Sequence, residues 1–151
     1  MKAVFGMAVL AATVAASTAQ AKDPITLHAV GSQIYRCEPN DKGELQWKFR
    51  EPVASLFYAG KTVGRHYAGP TWEHVDGSLV RGKVAESKPG KTPDDIPHLV
   101  LTATEHHGLG ELERASKVHR VNTKGGVAAG ACPKEGAWLS QPYEADYTFE
   151  D

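Results

Sequence analysis

Thirteen consecutive residues, His66-Tyr67-Ala68-Gly69-Pro70-Thr71-Trp72-Glu73-His74-Val75-Asp76-Gly77-Ser78, hold two histidines, two aromatics and two carboxylates. A carboxylate beside an imidazole raises its pKa and fixes its tautomer, as a general base or a metal-bound histidine requires. Gly-Pro and Asp-Gly are turn signals, so the run reads as strand, turn, short strand and turn. With Ala68-Gly69-Pro70-Thr71 as a four-residue loop, Tyr67 faces Trp72 and His66 faces Glu73, while Arg65 and His74 meet on the other face. A two-residue Asp76-Gly77 turn then sets Glu73 opposite Val80. His66 and Glu73 are therefore the candidate catalytic residues, the imidazole as base and the carboxylate as its orienting partner. The same pair equally serves as a hydrogen bond that pins a hairpin.

Other chemistries find less support. Seven histidines are many for this length, but no His-x-His occurs, nor a His-x-x-x-His on a helix. A metal site would have to be assembled from separate strands. No Gly-x-Ser-x-Gly elbow exists for a serine nucleophile. Glu73 and Asp76 could form a carboxylate pair for glycoside hydrolysis, yet Asp76 in Asp-Gly-Ser is explained by turn chemistry. The run Arg120-Val121-Asn122-Thr123-Lys124-Gly125-Gly126 lacks the Gly-Lys end of a phosphate loop and reads as a turn between strands. Trp47, Trp72 and Trp138 form a carbohydrate platform only if exposed; core packing explains them as well.

Strands must position these groups. Period-2 alternation runs through Leu45-Trp47-Phe49, Val63-Arg65-Tyr67, Leu99-Leu101-Ala103 and Tyr143-Ala145-Tyr147-Phe149. Further strands are expected in 25–30, 33–37, 55–58, 79–84 and 117–121. Fifteen glycines and nine prolines punctuate them. The expected fold is all-β, a single-domain antiparallel β-barrel or β-sandwich with one disulfide. Helix is limited to single turns near Pro93-Asp94-Asp95 or in 110–115, and 86–97 reads as a surface loop.

The N-terminus, Met1-Lys2 followed by an apolar stretch and ending Ala19-Gln20-Ala21, has the pattern of a secretory signal peptide cut after Ala21. Residues 22–151 then form the exported domain, in the periplasm or secreted. No other stretch is long and apolar enough to insert in a membrane. The leader holds one of the 17 basic residues, leaving 16 against 18 acidic ones. That near-neutral balance, without a basic run, argues against nucleic acid or anionic membrane as a partner. Cys37 and Cys132 are the two cysteines, and in an exported chain they are expected to pair as a structural disulfide.

Several of these residues form an ordered series: Gln33-x-Tyr35-x-Cys37, Trp47-x-Phe49-x-x-Pro52, Gly64-x-His66-Tyr67-x-Gly69-Pro70-Thr71-Trp72-Glu73-x-x-Asp76-Gly77-Ser78, Asp95-Ile96-Pro97, Arg120-Val121-Asn122-Thr123, and Tyr143-x-Ala145-Asp146-Tyr147-x-Phe149. From about His28 to Phe149 the chain resembles the domain of unknown function 3455 family, exported bacterial and fungal proteins. The resemblance implies secretion and brings no assigned activity. Dehydrogenase labels on some fungal relatives find no Rossmann glycine fingerprint here. His98 stands where the family usually has tryptophan after Ile-Pro, and Glu105-His106-His107 where it has small polar residues. The motif positions Gln33, Tyr35, His66, Tyr67, Trp72 and Glu73 are the expected ligand-binding residues. Three functions follow as expectations: a binding protein for a small molecule, glycan or metal; a hydrolase-like enzyme using His66 with Glu73; and a structural envelope protein. No cofactor other than a metal is expected.

Overall fold

The inward series of the last strand sets the architecture. Tyr143, Ala145, Tyr147 and Phe149 are all at most 3% exposed, while the residues between them reach solvent. The computed structural model describes Ala16 and residues 20–151; the expected leader therefore lies, but for Ala16, Gln20 and Ala21, outside the described residues. Eight strands follow in chain order: β1 Ile25–Pro39, β2 Leu45–Tyr58, β3 Lys61–Tyr67, β4 Thr71–His74, β5 Leu79–Lys88, β6 His98–His107, β7 Lys117–Gly125 and β8 Trp138–Glu150. Each pairs antiparallel with the next, and β8 pairs with β1. The sheet is a closed barrel and not a sandwich, so no edge strand is left unpaired. The Cys37–Cys132 disulfide is formed, with Cα atoms 5.6 Å apart.

Two pairs of expected strands are fused. β1 runs unbroken through Gly31, where a Cβ would collide with the Val53 carbonyl, so glycine lets β2 approach closely. β2 also continues through Pro52, because a register shift opposite Ile34 and Tyr35 places Arg50 as the extra residue of a bulge. The bulge turns Phe49 to the same side as Pro52, Ala54 and Leu56.

The two ends of the barrel are filled differently. At the end where β1 begins, Leu27, Leu56, Val80, Val118 and Phe149 make a close core, and Leu112 and Ala115 plug it from the loop between β6 and β7. That loop hangs on the turn after β4. Asp76 accepts the Glu111 N–H at 2.8 Å and the Ser78 N–H at 2.8 Å and hydroxyl at 2.6 Å, while the Leu112 N–H donates to Ser78 Oγ at 3.1 Å. Burial opposes ionisation of Asp76, but these donors outweigh it and hold the carboxyl far below its usual range. Asp76→Ala strands two backbone N–H groups and is expected to cost about 2–3 kcal/mol in urea unfolding. A loss under about 0.5 kcal/mol would assign the plug to apolar packing alone.

The expected helical turns are single hydrogen-bonded turns, Asp95 N to Thr92 O and Glu113 N to Gly110 O. The expected surface loop 86–97 is corrected at both ends. Glu86–Lys88 extend β5, and Ile96 turns inward to 4% exposure. Its N–H bonds Gly125 O, and Asp95 accepts the Gly125 N–H, so backbone pairing draws the segment across the barrel mouth.

Candidate functional site

At the mouth the core gives way to a cavity of about 440 Å³. Gln33 and Tyr35 reach it from β1, His66 from β3, Trp72 from β4, Arg120 from β7 and Tyr147 from β8. Ile96 and Pro97 close one side, and exposed Phe49 and Val84 flank the opening.

His66, Trp72 and Tyr147 form an aromatic cluster on its wall. The imidazole stacks on the indole, centroids 4.6 Å apart with 9° between planes, and Tyr147 sits 4.9 Å from it. Nδ1 of His66 lies 2.8 Å from the Thr71 carbonyl. A carbonyl only accepts, so Nδ1 carries the proton and Nε2 is the acceptor nitrogen. Burial drives the His66 pKa down to about 3; the Thr71 bond opposes this, and the Arg120 charge adds to it. His66 is a neutral, weakly basic imidazole at pH 7.

The expected His66–Glu73 pair does not form. Only three residues, Ala68 to Pro70, connect β3 and β4, so Tyr67 pairs with Thr71 and His66 with Trp72. Gly69 sits at φ 141°, and Thr71 Oγ1 donates to the Ala68 carbonyl at 2.8 Å, which draws Thr71 into the strand. The shift of one residue sends Glu73 to the outer surface. There Arg65 donates to it at 2.8 Å and Tyr67 Oη at 2.9 Å, and these bonds hold the carboxyl below its usual range. Arg65 also stacks on the Tyr67 ring, 5.0 Å from its centroid. The first turn is one residue shorter than expected and the second one residue longer: Glu73 pairs with Leu79, not Val80. Arg65 therefore meets Glu73, and Gly64 is opposite His74.

Of the six motif residues, Gln33, Tyr35, His66 and Trp72 share the cavity, whereas Tyr67 and Glu73 do not. Glu73 and Asp76 are held by different partners and face no common site. Trp72 is 1% exposed and Trp138 62%, so the tryptophans make no single platform. The histidines are dispersed. His28 bonds Asp146, His107 bonds Glu105, and His106 Nε2 bonds the Ala115 carbonyl. Among the described residues no group of three His, Cys, Asp or Glu side chains is placed to hold a metal ion.

Sequence reasoning missed Arg120 and Tyr147 as cavity residues. The signal was alternation: Val118 is fully buried, so Arg120, two residues on, shares its inward face opposite Tyr147. Arg120 Nε donates to the Pro97 carbonyl at 2.9 Å, tying β7 to the segment across the mouth.

Among the described residues no helix is long and apolar enough to cross a membrane. No curated protein and no solved structure matches the chain. A family described as protein of unknown function (DUF3455) matches residues 17–62 and 58–150, nearly its whole length. With its Gln33–Tyr35 and His66–Trp72 motif residues gathered in one cavity, the chain belongs to the DUF3455 family.

Proposed function

We propose that this protein is an exported binding protein that takes a small, largely apolar molecule into the open end of its barrel. One observation carries the reading. Gln33 and Trp72 line the cavity at 3% and 1% exposure, and the Gln33 amide nitrogen and Trp72 indole nitrogen have no hydrogen-bond partner among the described residues. A buried polar group left unpaired costs about 1–3 kcal/mol, which a ligand with an acceptor atom offsets. The volume lies within the ~300–1,000 Å³ of small-molecule sites, which are likewise apolar with a few polar groups. Leu99, Leu101, Ile96 and Pro97 favour an apolar body over a glycan, whose hydroxyls they would leave unpaired.

Binding is favoured over catalysis by the state of His66. A base with a pKa near 3 is poorly matched to proton transfer at neutral pH, and no carboxylate orients it. The periplasmic or secreted location rests on the leader pattern and the disulfide.

N-Phenyl-1-naphthylamine, a neutral dye that brightens on leaving water, tests the reading. Saturable binding of one dye per chain is expected, weakened at least tenfold by Val84→Trp at the exposed mouth. A signal that rises linearly with dye and ignores the substitution would overturn it.

A further inference from the structure

The charge on the cavity wall has one sign. Among the residues that line it, the ionised side chains are Arg50 and Arg120, with no aspartate or glutamate. The two arginines differ. Arg50 is exposed at the rim and lies 3.4 Å from Glu38. Arg120 is half-buried, and it bonds neutral groups, the Pro97 carbonyl and the Tyr147 hydroxyl.

Arg120 stands apart from every other arginine of the chain. Arg36, Arg50, Arg65, Arg81 and Arg114 each lie within 4 Å of a carboxylate. Arg120 has no such partner among the described residues. A guanidinium drawn partly out of water without a counter-ion is unfavourable unless an anion reaches it. Its charge bears on the interior: it holds Tyr35, Tyr143 and Tyr147 below the pKa that burial alone would set, and lowers His66 further.

The geometry points to a carboxylate as the polar end of the ligand, with Arg120 as its anchor and the apolar body against His66, Trp72 and Leu99. This inference rests on the binding reading above and deepens it. A guanidinium presents a planar fork of N–H donors that matches a carboxylate, and the Trp72 indole N–H is a further unpaired donor on the same wall. Nε of Arg120 is engaged by Pro97, which leaves the terminal nitrogens to be shared between the Tyr147 hydroxyl and the ligand. The ligand class is thus a small aromatic or aliphatic monocarboxylate, not a sugar and not an amine.

Competition against the neutral dye tests it with one skeleton carrying three heads: 2-naphthoate, 2-naphthalenemethanol and 2-naphthylmethylamine. Naphthoate is expected to displace the dye at least tenfold more tightly than the alcohol, with the amine weakest. Arg120→Gln is expected to bring the acid-to-alcohol ratio to within twofold of unity, and Arg120→Lys to restore part of it. Arg50→Gln at the rim is expected to change the ratio less than twofold. Equal affinity for acid and alcohol in the native protein, or a ratio that survives Arg120→Gln, overturns the carboxylate inference while dye binding keeps the cavity reading intact. Absence of saturable dye binding removes both.

Discussion

Lowering the pH from 7 to below 3 is expected to cost the barrel about 5 kcal/mol through His66 alone. The imidazole is 3% exposed and its pKa falls from 6.5 to about 3 in the folded chain, chiefly because burial disfavours the charged ring. At about 1.4 kcal/mol per unit, a difference of about 3.5 units gives that figure. The sign follows from proton counting. Above pH 6.5 neither state binds the proton and no stability is lost. Between 6.5 and 3 the unfolded chain binds it and the folded chain does not, so stability falls with pH, by about 2 kcal/mol at pH 5. Below 3 both states are protonated and the loss levels off. Of the groups facing His66, Trp72 and Tyr147 are neutral, Arg120 adds to the shift by its positive charge, and the Thr71 carbonyl opposes it without overcoming burial.

Acid acts on the whole chain, so the test is a difference. Urea unfolding of the native protein and of His66→Phe at pH 7.5, 6, 5 and 4 isolates one residue. Phenylalanine keeps the stack on Trp72 while removing the proton site, and the bond to the Thr71 carbonyl is lost at every pH. Its constant cost cancels from the slope. The native curve is expected to be steeper by up to about 1.4 kcal/mol per pH unit below 6. Parallel curves would mean that water or a shifted ring solvates His66.

How far the sequence discloses this site depends on parity. Alternation along β8 is long enough to declare its inward face without help, and the glycine and proline spacing makes an antiparallel all-β domain legible. Its closure into a barrel and not a sandwich is seen only in the strand pairing. The β3–β4 hairpin is different. Its two strands are short, and a loop of three or four residues decides which side chains are opposite. Because the side-chain period is two, that single residue moves Glu73 from beside His66 to the outside and exchanges a catalytic pair for a surface ion pair with Arg65. Turn signals fix where the chain reverses but not the count. Gln33 and Tyr35 keep their place because β1 and β2 are long, even though the Arg50 bulge re-aims Phe49. Arg120 was hidden by its type: an arginine in a strand reads as a solvated residue until its neighbours across the sheet, Leu99 and Tyr147, are known to face inward.

The closed end and the open end divide stability from function. Leu112 and the Asp76 network plug one end, so the cavity at the other is not filled by the same core. Ile96 and Pro97 of the segment 90–97 wall the mouth, and the loop 126–137 is tied to that segment and to Tyr35 by few backbone bonds. Ile96 N–H to Gly125 O, Val127 N–H to Asp94 O and Tyr35 Oη to Gly126 O carry most of that link. A cross-link in this region therefore has more to do than one buried in a packed core.

Removing the disulfide, by Cys37→Ala with Cys132→Ala, is expected to lower stability by about 4–5 kcal/mol. The bridge joins β1 to the loop between β7 and β8 across 95 residues. In the chain-entropy model a loop of that size removes ~4.7 kcal/mol of freedom from the unfolded chain. Alanine is the right replacement because Cys37 is fully buried and a serine hydroxyl would add an unpaired polar group. The folded barrel has other means of holding that loop: the Cys37 N–H donates to Ala137 O and the Gly136 N–H to Cys37 O, both at 2.8 Å. If the bridge acts through the unfolded chain, the urea midpoint drops by about 2 M or more while dye affinity stays within twofold. If it instead shapes the folded mouth, Gly126 relaxes away from Tyr35 and Gln33, and affinity falls along with stability. A loss below about 1 kcal/mol would contradict the entropic account and mean that the unfolded chain already keeps its two ends together.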